Sequence, residues 1–204
     1  MKENASQKSV GVVVVAAGRG VRAGGDIPKQ WRPLAGKTVV HHSLSIFATH
    51  PRVREIIVVV HPDDLRSEIW PNDLPTRVVP GGSTRSQSVL AGLRGLSEDT
   101  DLVLIHDAAR PDLPFAVIER LVTALDDHAG SIPVLPVVDS LAIASEEETM
   151  EGSAARETLR RVQTPQAFRY ADILAAHRAW EGSTDAGDDA QVLAASSGSA
   201  PYQK

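Results

Sequence analysis

Short runs of β-branched residues alternate along the chain with segments of helical periodicity, and this alternation limits the possible folds most. The near-continuous apolar runs lie at residues 10–16, 55–61, 77–80 and 102–106. Such runs are typical of strands that are buried on both faces. Between them, apolar residues recur at helical spacing, as Val40, Leu44 and Phe47 do. Strands that alternate with helices build a parallel sheet, so the sequence predicts an α/β protein with a Rossmann-like, mostly parallel sheet flanked by helices.

Size and composition restrict the classes of partner. A chain of 204 residues, 42% of them hydrophobic, can bury a sizeable core, and we expect a single domain over residues 1–204. The formal net charge of −5 and the pI near 5.8 argue against nucleic acid and anionic membranes as partners. The apolar run at residues 12–17 is too short to span a bilayer, and the absence of cysteine excludes disulfides and thiolate metal sites. We therefore expect a cytoplasmic protein with no membrane and no nucleic-acid partner.

The pattern changes between residues 137 and 162. Residues 141–143 are a short strand candidate, residues 145–152 are acidic and turn-like, and an extended pattern returns at residues 156–162. This arrangement predicts a protruding β-hairpin. An ordinary surface excursion with a solvated acidic tip is the alternative.

The first predicted strand runs directly into a glycine-rich loop at residues 16–25. Glycines let backbone N–H groups approach and surround a phosphate chain, so the loop indicates a nucleotide site. A P-loop is excluded because no Lys-Ser or Lys-Thr pair closes the loop. Gly18, Gly20 and Ala23 fit a weakened dinucleotide fingerprint, but the acidic residue expected about twenty positions later is missing, and Pro28 prevents an immediate long helix.

Three basic residues accompany this loop: Arg19, Arg22 and Lys29. In phosphoryl and nucleotidyl transfer the protein mainly positions the reactants and stabilises charge on the transferred group. Arg and Lys side chains beside the α-phosphate suit that role. Any one of these residues alone would be interpreted as a solvated loop charge. Together, on a glycine-rich loop after a buried strand, they indicate a transfer site.

The segment His-Asp-Ala-Ala-Arg-Pro at residues 106–111 ends another buried strand, and open α/β sheets bind ligands at the carboxyl ends of their strands. Asp107 is placed to hold Mg²⁺, which needs only one or two carboxylates when it bridges phosphate oxygens. A helix cap is the alternative role for such an Asp. Ala108 and Ala109 permit close approach of a ligand, and Arg110 adds a bidentate fork for an anion.

The segment at residues 80–88 begins a predicted helix and is rich in glycine and hydroxyl groups. Such a helix start can bind an anion or contact a base, and a well-capped helix is the alternative. The seven histidines include no pair at zinc-ligand spacing on a helix, and no serine lies in a G-x-S-x-G context. The sequence therefore indicates neither a zinc site nor acyl transfer.

These motifs occur together in one known family. They are Ala16-Ala17-Gly18-x-Gly20-x-Arg22, Pro28-Lys29-Gln30, Gly81-Gly82-x-x-Arg85-x-x-Ser88, His106-Asp107-Ala108-Ala109-Arg110-Pro111 and Gln163-Thr164-Pro165-Gln166-x-Phe168. In this order they closely resemble the 2-C-methyl-D-erythritol 4-phosphate cytidylyltransferases, from near residue 10 to near residue 195. The resemblance implies a fold of the nucleotide-diphospho-sugar transferase type. It also implies Mg²⁺-dependent transfer of CMP from CTP to methylerythritol phosphate, with release of pyrophosphate, in isoprenoid precursor synthesis.

The resemblance implies roles for individual residues. The catalytic residues would be Arg22, Lys29 and Arg156, and Asp107 would hold Mg²⁺. The CTP pocket would be lined by Ala16, Ala17, Gly18, Gly82, Ser88 and Ala108. The polyol phosphate that accepts CMP would contact Arg110, Ser140 and Thr164. Residues 139–161 would form a dimerisation and substrate arm, through which Ser140 and Arg156 reach the second site of a homodimer.

The sequence departs from the family pattern in three places. Ser83 stands where an acidic residue is usual after Gly-Gly, and the family's Thr-Asp-acid-Ala block matches either Thr184-Asp185 or Asp188-Asp189-Ala190. The family's last strand, Asp-Asn-Ile-Lys block and final helix have no counterpart before Lys204, which predicts a truncated or impaired enzyme. The alternatives are a ribitol 5-phosphate cytidylyltransferase, a catalytically silent CTP-binding homologue, and part of a fusion with a second enzyme of the same pathway.

Overall fold

The computed structural model describes residues 8–19, 27–66, 71, 73–180 and 186–197. Its strands are β1 (Val10–Ala16), β2 (Pro33–Leu34), β3 (Lys37–Thr38), β4 (Val53–Val60), β5 (Arg77–Pro80), β6 (Leu102–Asp107), β7 (Gly130–Ser131), β8 (Val134–Pro136), β9 (Ala142–Ala144), β10 (Met150–Ser153), β11 (Arg160–Val162) and β12 (Gln166–Arg169). Its helices are α1 (Val39–Ala48), α2 (Arg85–Gly95), α3 (Phe115–Ala124), α4 (Tyr170–Ala179) and α5 (Asp189–Ser197). Short 3-10 helices cover Lys29–Trp31, Pro62–Arg66 and Arg156–Thr158.

The main sheet has the strand order β5-β4-β1-β6-β12-β7. β1 pairs in parallel with β4 and β6, so that Val13 lies opposite Ile57 and Ile105, and β5 continues the parallel part beside β4. β12 runs antiparallel to β6 and β7. Parallel strands of one sheet need crossover connections, which α1 supplies between β1 and β4 and α2 supplies between β5 and β6. The predicted α/β fold with a mostly parallel sheet is confirmed.

Helices cover both faces of this sheet. On one face Val12 packs in a core with Phe47 of α1 and Ile118 of α3. On the other face Val13 packs in a core with Leu93 of α2 and with residues of α4 and α5. Successive residues of β1 therefore point into two different cores, which explains why this strand is apolar at nearly every position.

Close packing of α2 against the sheet brings the start of that helix near the ends of β1 and β4. A Cβ atom at Gly92 would lie 2.4 Å from Val13 Cγ1 and 2.8 Å from Val59 Cγ2. Any side chain at this position would hold the helix away from the strands. The helix begins after Thr84, whose hydroxyl oxygen accepts a hydrogen bond from the Gln87 N–H at 3.2 Å.

The observed strands differ from the predicted ones mainly at their ends. The strand predicted at residues 55–61 begins at Val53 and ends at Val60, and the strand predicted at 102–106 continues to Asp107. Asp107 is thus the last residue of β6, and not the first residue of a loop. The sequence did not predict β7 or β12, because strands of two and four residues are too short for their apolar pattern to stand out.

The predicted hairpin between residues 137 and 162 is present. β8 pairs with β11 and, further along, β9 pairs with β10, both antiparallel and both separate from the main sheet. The strand predicted at residues 141–143 lies at Ala142–Ala144. At the acidic tip, Ser145 Oγ accepts hydrogen bonds from the N–H groups of Glu147 and Thr149, each at 3.2 Å.

In the part of the chain that the structure describes, every helix is too short or too polar to cross a bilayer. The assignment of residues 1–204 to a single domain stays a prediction.

Candidate functional site

A cleft of about 610 Å³ opens at the carboxyl ends of β1, β4 and β6. It brings together the three segments that the sequence singled out. The lining residues are Val15, Ala16, Ala17, Gly18, Arg19, Lys29, Gln30, His61, Gly82, Ser83, Thr84, Arg85, Ser88, Asp107, Ala108 and Ala109. Every residue predicted for the CTP pocket, together with Lys29 and Asp107, is therefore on one surface.

Gln30 holds the loop that follows β1. Its side-chain amide donates hydrogen bonds to the carbonyl oxygens of Ala16 at 2.8 Å and Gly18 at 2.9 Å. The 3-10 turn Lys29–Trp31 buries Gln30 and leaves Lys29 exposed at the cleft. A Cβ built at Gly18 would meet no heavy atom of the described residues within 4 Å, so these residues leave space for a ligand beside Gly18.

The basic residues of the loop are placed differently from one another. Arg19 forms ion pairs with Asp63 and Asp64 and lies 2.8 Å from His61 Nδ1. Its charge is therefore matched by carboxylates that follow β4. Arg22 lies outside the described residues, as does Gly20.

The second wall of the cleft is the start of α2. Ser88 is buried; its hydroxyl accepts a hydrogen bond from the Gly82 N–H at 3.1 Å and donates one to the Thr84 carbonyl at 2.9 Å. A Cβ at Gly81 would lie 2.7 Å from Ala17 Cβ, so the two walls touch at this glycine. The alternative of a well-capped helix is confirmed, and the same helix start faces the cleft.

Asp107 stands between two guanidinium groups at the end of β6. Arg110 Nε lies 3.2 Å from its Oδ2, and Arg85 Nη2 lies 3.7 Å from its Oδ1. The carboxylate is about one third exposed, and Ala108 beside it is buried. Among the described residues no group of three or more His, Asp or Glu could enclose a metal. A single partly exposed carboxylate fits a Mg²⁺ ion that takes its other oxygens from phosphate and water.

A second cavity, of about 720 Å³, lies on the other side of Arg110, between α3 and β8. Arg110, Gln163 and Thr164 are among its lining residues, and Arg110 Nη1 donates to Gln163 Oε1 at 2.8 Å. Thr164 Oγ1 accepts a hydrogen bond from the Asp107 N–H at 3.3 Å. Two of the residues predicted to contact the polyol phosphate, Arg110 and Thr164, are therefore adjacent to Asp107.

The His106 ring lies between Arg110 and Thr164 and contacts both. It is fully buried, with Nε2 at 2.9 Å from the Arg110 carbonyl oxygen and Nδ1 at 3.1 Å from Thr164 Oγ1. Burial lowers the pKa of His106 to about 4. The neutral ring donates from Nε2 to the carbonyl, since a carbonyl oxygen can only accept.

Ser140 and Arg156 lie in the arm and line neither cavity of their own chain. Both are exposed, and Arg156 Nη1 donates to the Val138 carbonyl at 3.2 Å. The structure therefore does not bring these two predicted residues together with the others.

Sequence reasoning missed the roles of Gln30, Arg85 and Asp189. Gln30 and Arg85 belong to the family motifs quoted above, and this membership could have identified them. Asp189 belongs to only one of the two segments that match the family's Thr-Asp-acid-Ala block. The structure places Asp188 at the start of α5, where its Oδ1 accepts from the Gln191 N–H at 3.0 Å. Asp189 is fully buried against Arg85. Thr184 and Asp185, the other candidate block, lie outside the described residues.

Comparisons with known proteins agree with this site. The family model described as 2-C-methyl-D-erythritol 4-phosphate cytidylyltransferase matches residues 10–201. A bifunctional enzyme IspD/IspF of Rhizorhabdus wittichii is 50% identical over 191 residues, which are 92% of this chain and 48% of that protein. A 2-C-methyl-D-erythritol 4-phosphate cytidylyltransferase of Roseobacter denitrificans is 48% identical over 177 residues, which are 86% of this chain and 80% of the relative. The chain spans about half the length of the bifunctional relatives it matches.

Comparison with solved structures indicates the same family. The crystal structure of 2-C-methyl-D-erythritol 4-phosphate cytidylyltransferase from Thermus thermophilus aligns with a TM-score of 0.79 and 32% identity, over 96% of this chain and 88% of that one. The family model covers nearly the whole chain, including every segment that lines the cleft. This chain therefore belongs to the 2-C-methyl-D-erythritol 4-phosphate cytidylyltransferase family.

Proposed function

We propose that the protein transfers CMP from CTP to 2-C-methyl-D-erythritol 4-phosphate, giving 4-diphosphocytidyl-2-C-methyl-D-erythritol and pyrophosphate. The observation that carries this proposal is the ion pair of Asp107, which lines the first cavity, with Arg110, which lines the second. One cavity has a glycine-rich wall suited to a nucleotide, and the other is lined in part by Arg110 and Thr164. A nucleotide and a second phosphorylated substrate bound in these two places would have their phosphates side by side.

The first cavity is suited to CTP. Its volume of about 610 Å³ is within the usual range for small-ligand sites, roughly 300–1,000 Å³. Alanine, glycine and serine residues form part of its walls, so the nucleotide can lie against the main chain there. The pocket residues would be Ala16, Ala17, Gly18, Gly82, Ser88 and Ala108.

In the proposed reaction, a phosphate oxygen of methylerythritol phosphate attacks the α-phosphorus of CTP. A P–O bond forms to this oxygen, and the bond from the α-phosphorus to the α,β-bridging oxygen breaks, so that pyrophosphate leaves with the bond's electron pair. Lys29 and Arg22 would stabilise the negative charge on the transferred phosphoryl group. Mg²⁺, held by Asp107, would neutralise charge on the phosphate chain.

Arg110 and Thr164 would hold the polyol phosphate, and Ser140 and Arg156 would act on the site of a second copy through the arm. The arm supports this dimer because it exposes apolar side chains: Ile143 is 50% exposed and Met150 68%. Exposed apolar side chains that lie together mark interaction sites, and these two residues lie on the paired strands β9 and β10. We also propose that the enzyme works in the cytoplasm, on the supply of CTP there.

Pyrophosphate release tests the reaction. The purified chain is given CTP and Mg²⁺ with either methylerythritol phosphate or ribitol 5-phosphate. We expect release with methylerythritol phosphate alone, its loss in Lys29→Ala, and no change in Lys37→Ala, which removes an exposed lysine outside the cleft. Release with ribitol 5-phosphate alone would assign the other polyol. CTP binding without any release would identify a silent homologue.

Complementation between inactive variants tests the arm. Lys29→Ala inactivates the cleft of its own chain, and Arg156→Ala removes the group that acts on the other chain. In a 1:1 mixture that exchanges subunits, about one quarter of the sites would carry both intact residues, as expected for a symmetric dimer. Recovery of activity to that level supports action between subunits, and no recovery contradicts it.

A further inference from the structure

A buried ion pair lies directly behind the proposed metal site. Arg85 donates from Nη1 and Nη2 to the two carboxylate oxygens of Asp189, at 3.1 Å and 2.8 Å. The Asp189 side chain is 1% exposed and also lies 3.2 Å from His177 Nε2. Burial alone would raise the pKa of Asp189, but the hydrogen bond from His177 and the charge of Arg85 outweigh it, so the pKa of this carboxyl is below its usual value.

The same guanidinium faces Asp107 on its other side. Arg85 Nη2 lies 3.7 Å from Asp107 Oδ1, while Arg110 Nε lies 3.2 Å from Oδ2. Each oxygen of the Asp107 carboxylate therefore faces a different cation. Of these two cations, only Arg85 is itself fixed by a buried carboxylate; the Arg110 side chain is 44% exposed.

We propose that Arg85 is a positioning residue, held by Asp189, that orients the Asp107 carboxylate toward the cleft. This inference rests on the proposed role of Asp107 in holding a divalent cation. An exposed ion pair holds two side chains in place poorly, because ordering them costs conformational entropy. Here the bidentate pair with Asp189 has already ordered Arg85 in the folded chain, so its contact with Asp107 needs little further ordering.

The direction in which cation affinity changes distinguishes two possible roles of Arg85: it orients the Asp107 carboxylate, or it competes with the cation for that carboxylate. If Arg85 only competed with the cation for Asp107, weakening its hold would let the cation bind more tightly. If Arg85 orients Asp107, loss of the bidentate fork weakens cation binding although the carboxylate remains. Groups that position a metal ligand contribute roughly 10- to 100-fold to metal affinity.

Mn²⁺ binding to the full chain tests this inference without turnover. Free Mn²⁺ is measured by electron paramagnetic resonance in the presence of a CTP analogue whose α- and β-phosphorus atoms are joined by a methylene group. Arg85→Lys keeps the charge and loses the fork, and Asp189→Asn keeps the shape and frees Arg85 from its carboxylate. We expect the Mn²⁺ dissociation constant to rise about tenfold in both variants. The dissociation constant should stay unchanged in the control Arg77→Lys, because Arg77 pairs with Glu55 and lies beside Gly95, at the end of α2 away from the cleft.

Three outcomes separate the possibilities. An unchanged or lower dissociation constant in Arg85→Lys and Asp189→Asn, with Asp107→Asn weakening Mn²⁺ binding, overturns the inference and leaves the metal site in place. An unchanged constant in Asp107→Asn overturns the proposed metal role itself. If neither Arg85→Lys nor Asp189→Asn folds, His177→Gln leaves both charges of the buried pair in place, and a rise in its Mn²⁺ dissociation constant supports the inference whereas no change overturns it.

Discussion

Replacing Gln30 with leucine tests whether one buried amide holds the nucleotide loop. Gln30 donates to the carbonyl oxygens of Ala16 and Gly18, and its side chain is buried beneath the loop. Leucine has a similar size but no donor, so Gln30→Leu removes both hydrogen bonds and leaves little empty space. The loop then keeps its own sequence but loses the two side-chain hydrogen bonds that hold it.

The expected loss of stability is modest. A buried polar group left without a partner costs about 1–3 kcal/mol. Only the Ala16 contact is buried, because the bond to Gly18 lies at a partly buried position that water can reach. We therefore expect the free energy of unfolding to fall by about 1.5 kcal/mol, which lowers Tm by about 3–6 °C for a chain of this size.

The functional loss should be larger than the loss of stability. A displaced loop no longer presents its backbone to the triphosphate, and small displacements of positioning groups reduce rates strongly. We expect KM for CTP to rise about tenfold or more, measured by pyrophosphate release well below Tm. Gln191→Leu changes an exposed glutamine and serves as the matched control. A Gln30→Leu variant with unchanged Tm and unchanged KM for CTP would refute the conclusion that Gln30 holds this loop in place.

Three further predictions follow from glycine packing and from burial of a histidine. Gly92→Ala places a Cβ 2.4 Å from Val13 Cγ1, so it should lower the free energy of unfolding in urea by about 1–3 kcal/mol; an unchanged midpoint would contradict the close packing. Gly18→Ala meets no neighbour within 4 Å among the residues that the structure describes, so it should unfold like the unmodified chain but bind CTP more weakly by calorimetry, and equal affinity would show that the ligand does not approach this residue. His106 stays neutral in the folded chain down to a pKa of about 4, whereas an unfolded histidine binds a proton near pH 6.5. The free energy of unfolding should therefore fall, as pH drops from about 6.5 toward 4, by up to about 3 kcal/mol more than in His106→Gln; equal slopes in the two proteins would exclude this contribution.

The parts of the site that the sequence predicted are those set by strand ends. A strand buried on both faces is visible as an apolar run, and the residues that follow it must lie at the edge of the sheet. Ala16 and Asp107 were placed this way, since they end β1 and β6, whose residues pair in parallel register. The loop chemistry then followed from the residue types alone.

Hydrogen-bonded supports were not predictable in the same way. Gln30 was visible only as a member of a motif, and its polar side chain gives no local sign that it turns inward. Whether a polar side chain in a short turn faces solvent or a carbonyl depends on the path of the loop above it. That path is a tertiary property, and helical or strand periodicity contains no information about it.

Asp188 and Asp189 are adjacent and identical, yet their environments differ, because only Asp189 is fully buried. Asp188 caps α5 from the surface, whereas Asp189 turns inward to Arg85, which is 104 positions earlier in the chain. The start of α5 is fixed further by Gln166, whose Oε1 accepts from the Ala190 N–H at 3.0 Å. A register that placed Ala190 opposite Arg85 would leave this guanidinium without its bidentate partner, which is more costly than loss of a surface contact. Arg85 and Gln166 therefore both hold the start of α5, and through Arg85 this helix start contributes to the proposed support for Asp107.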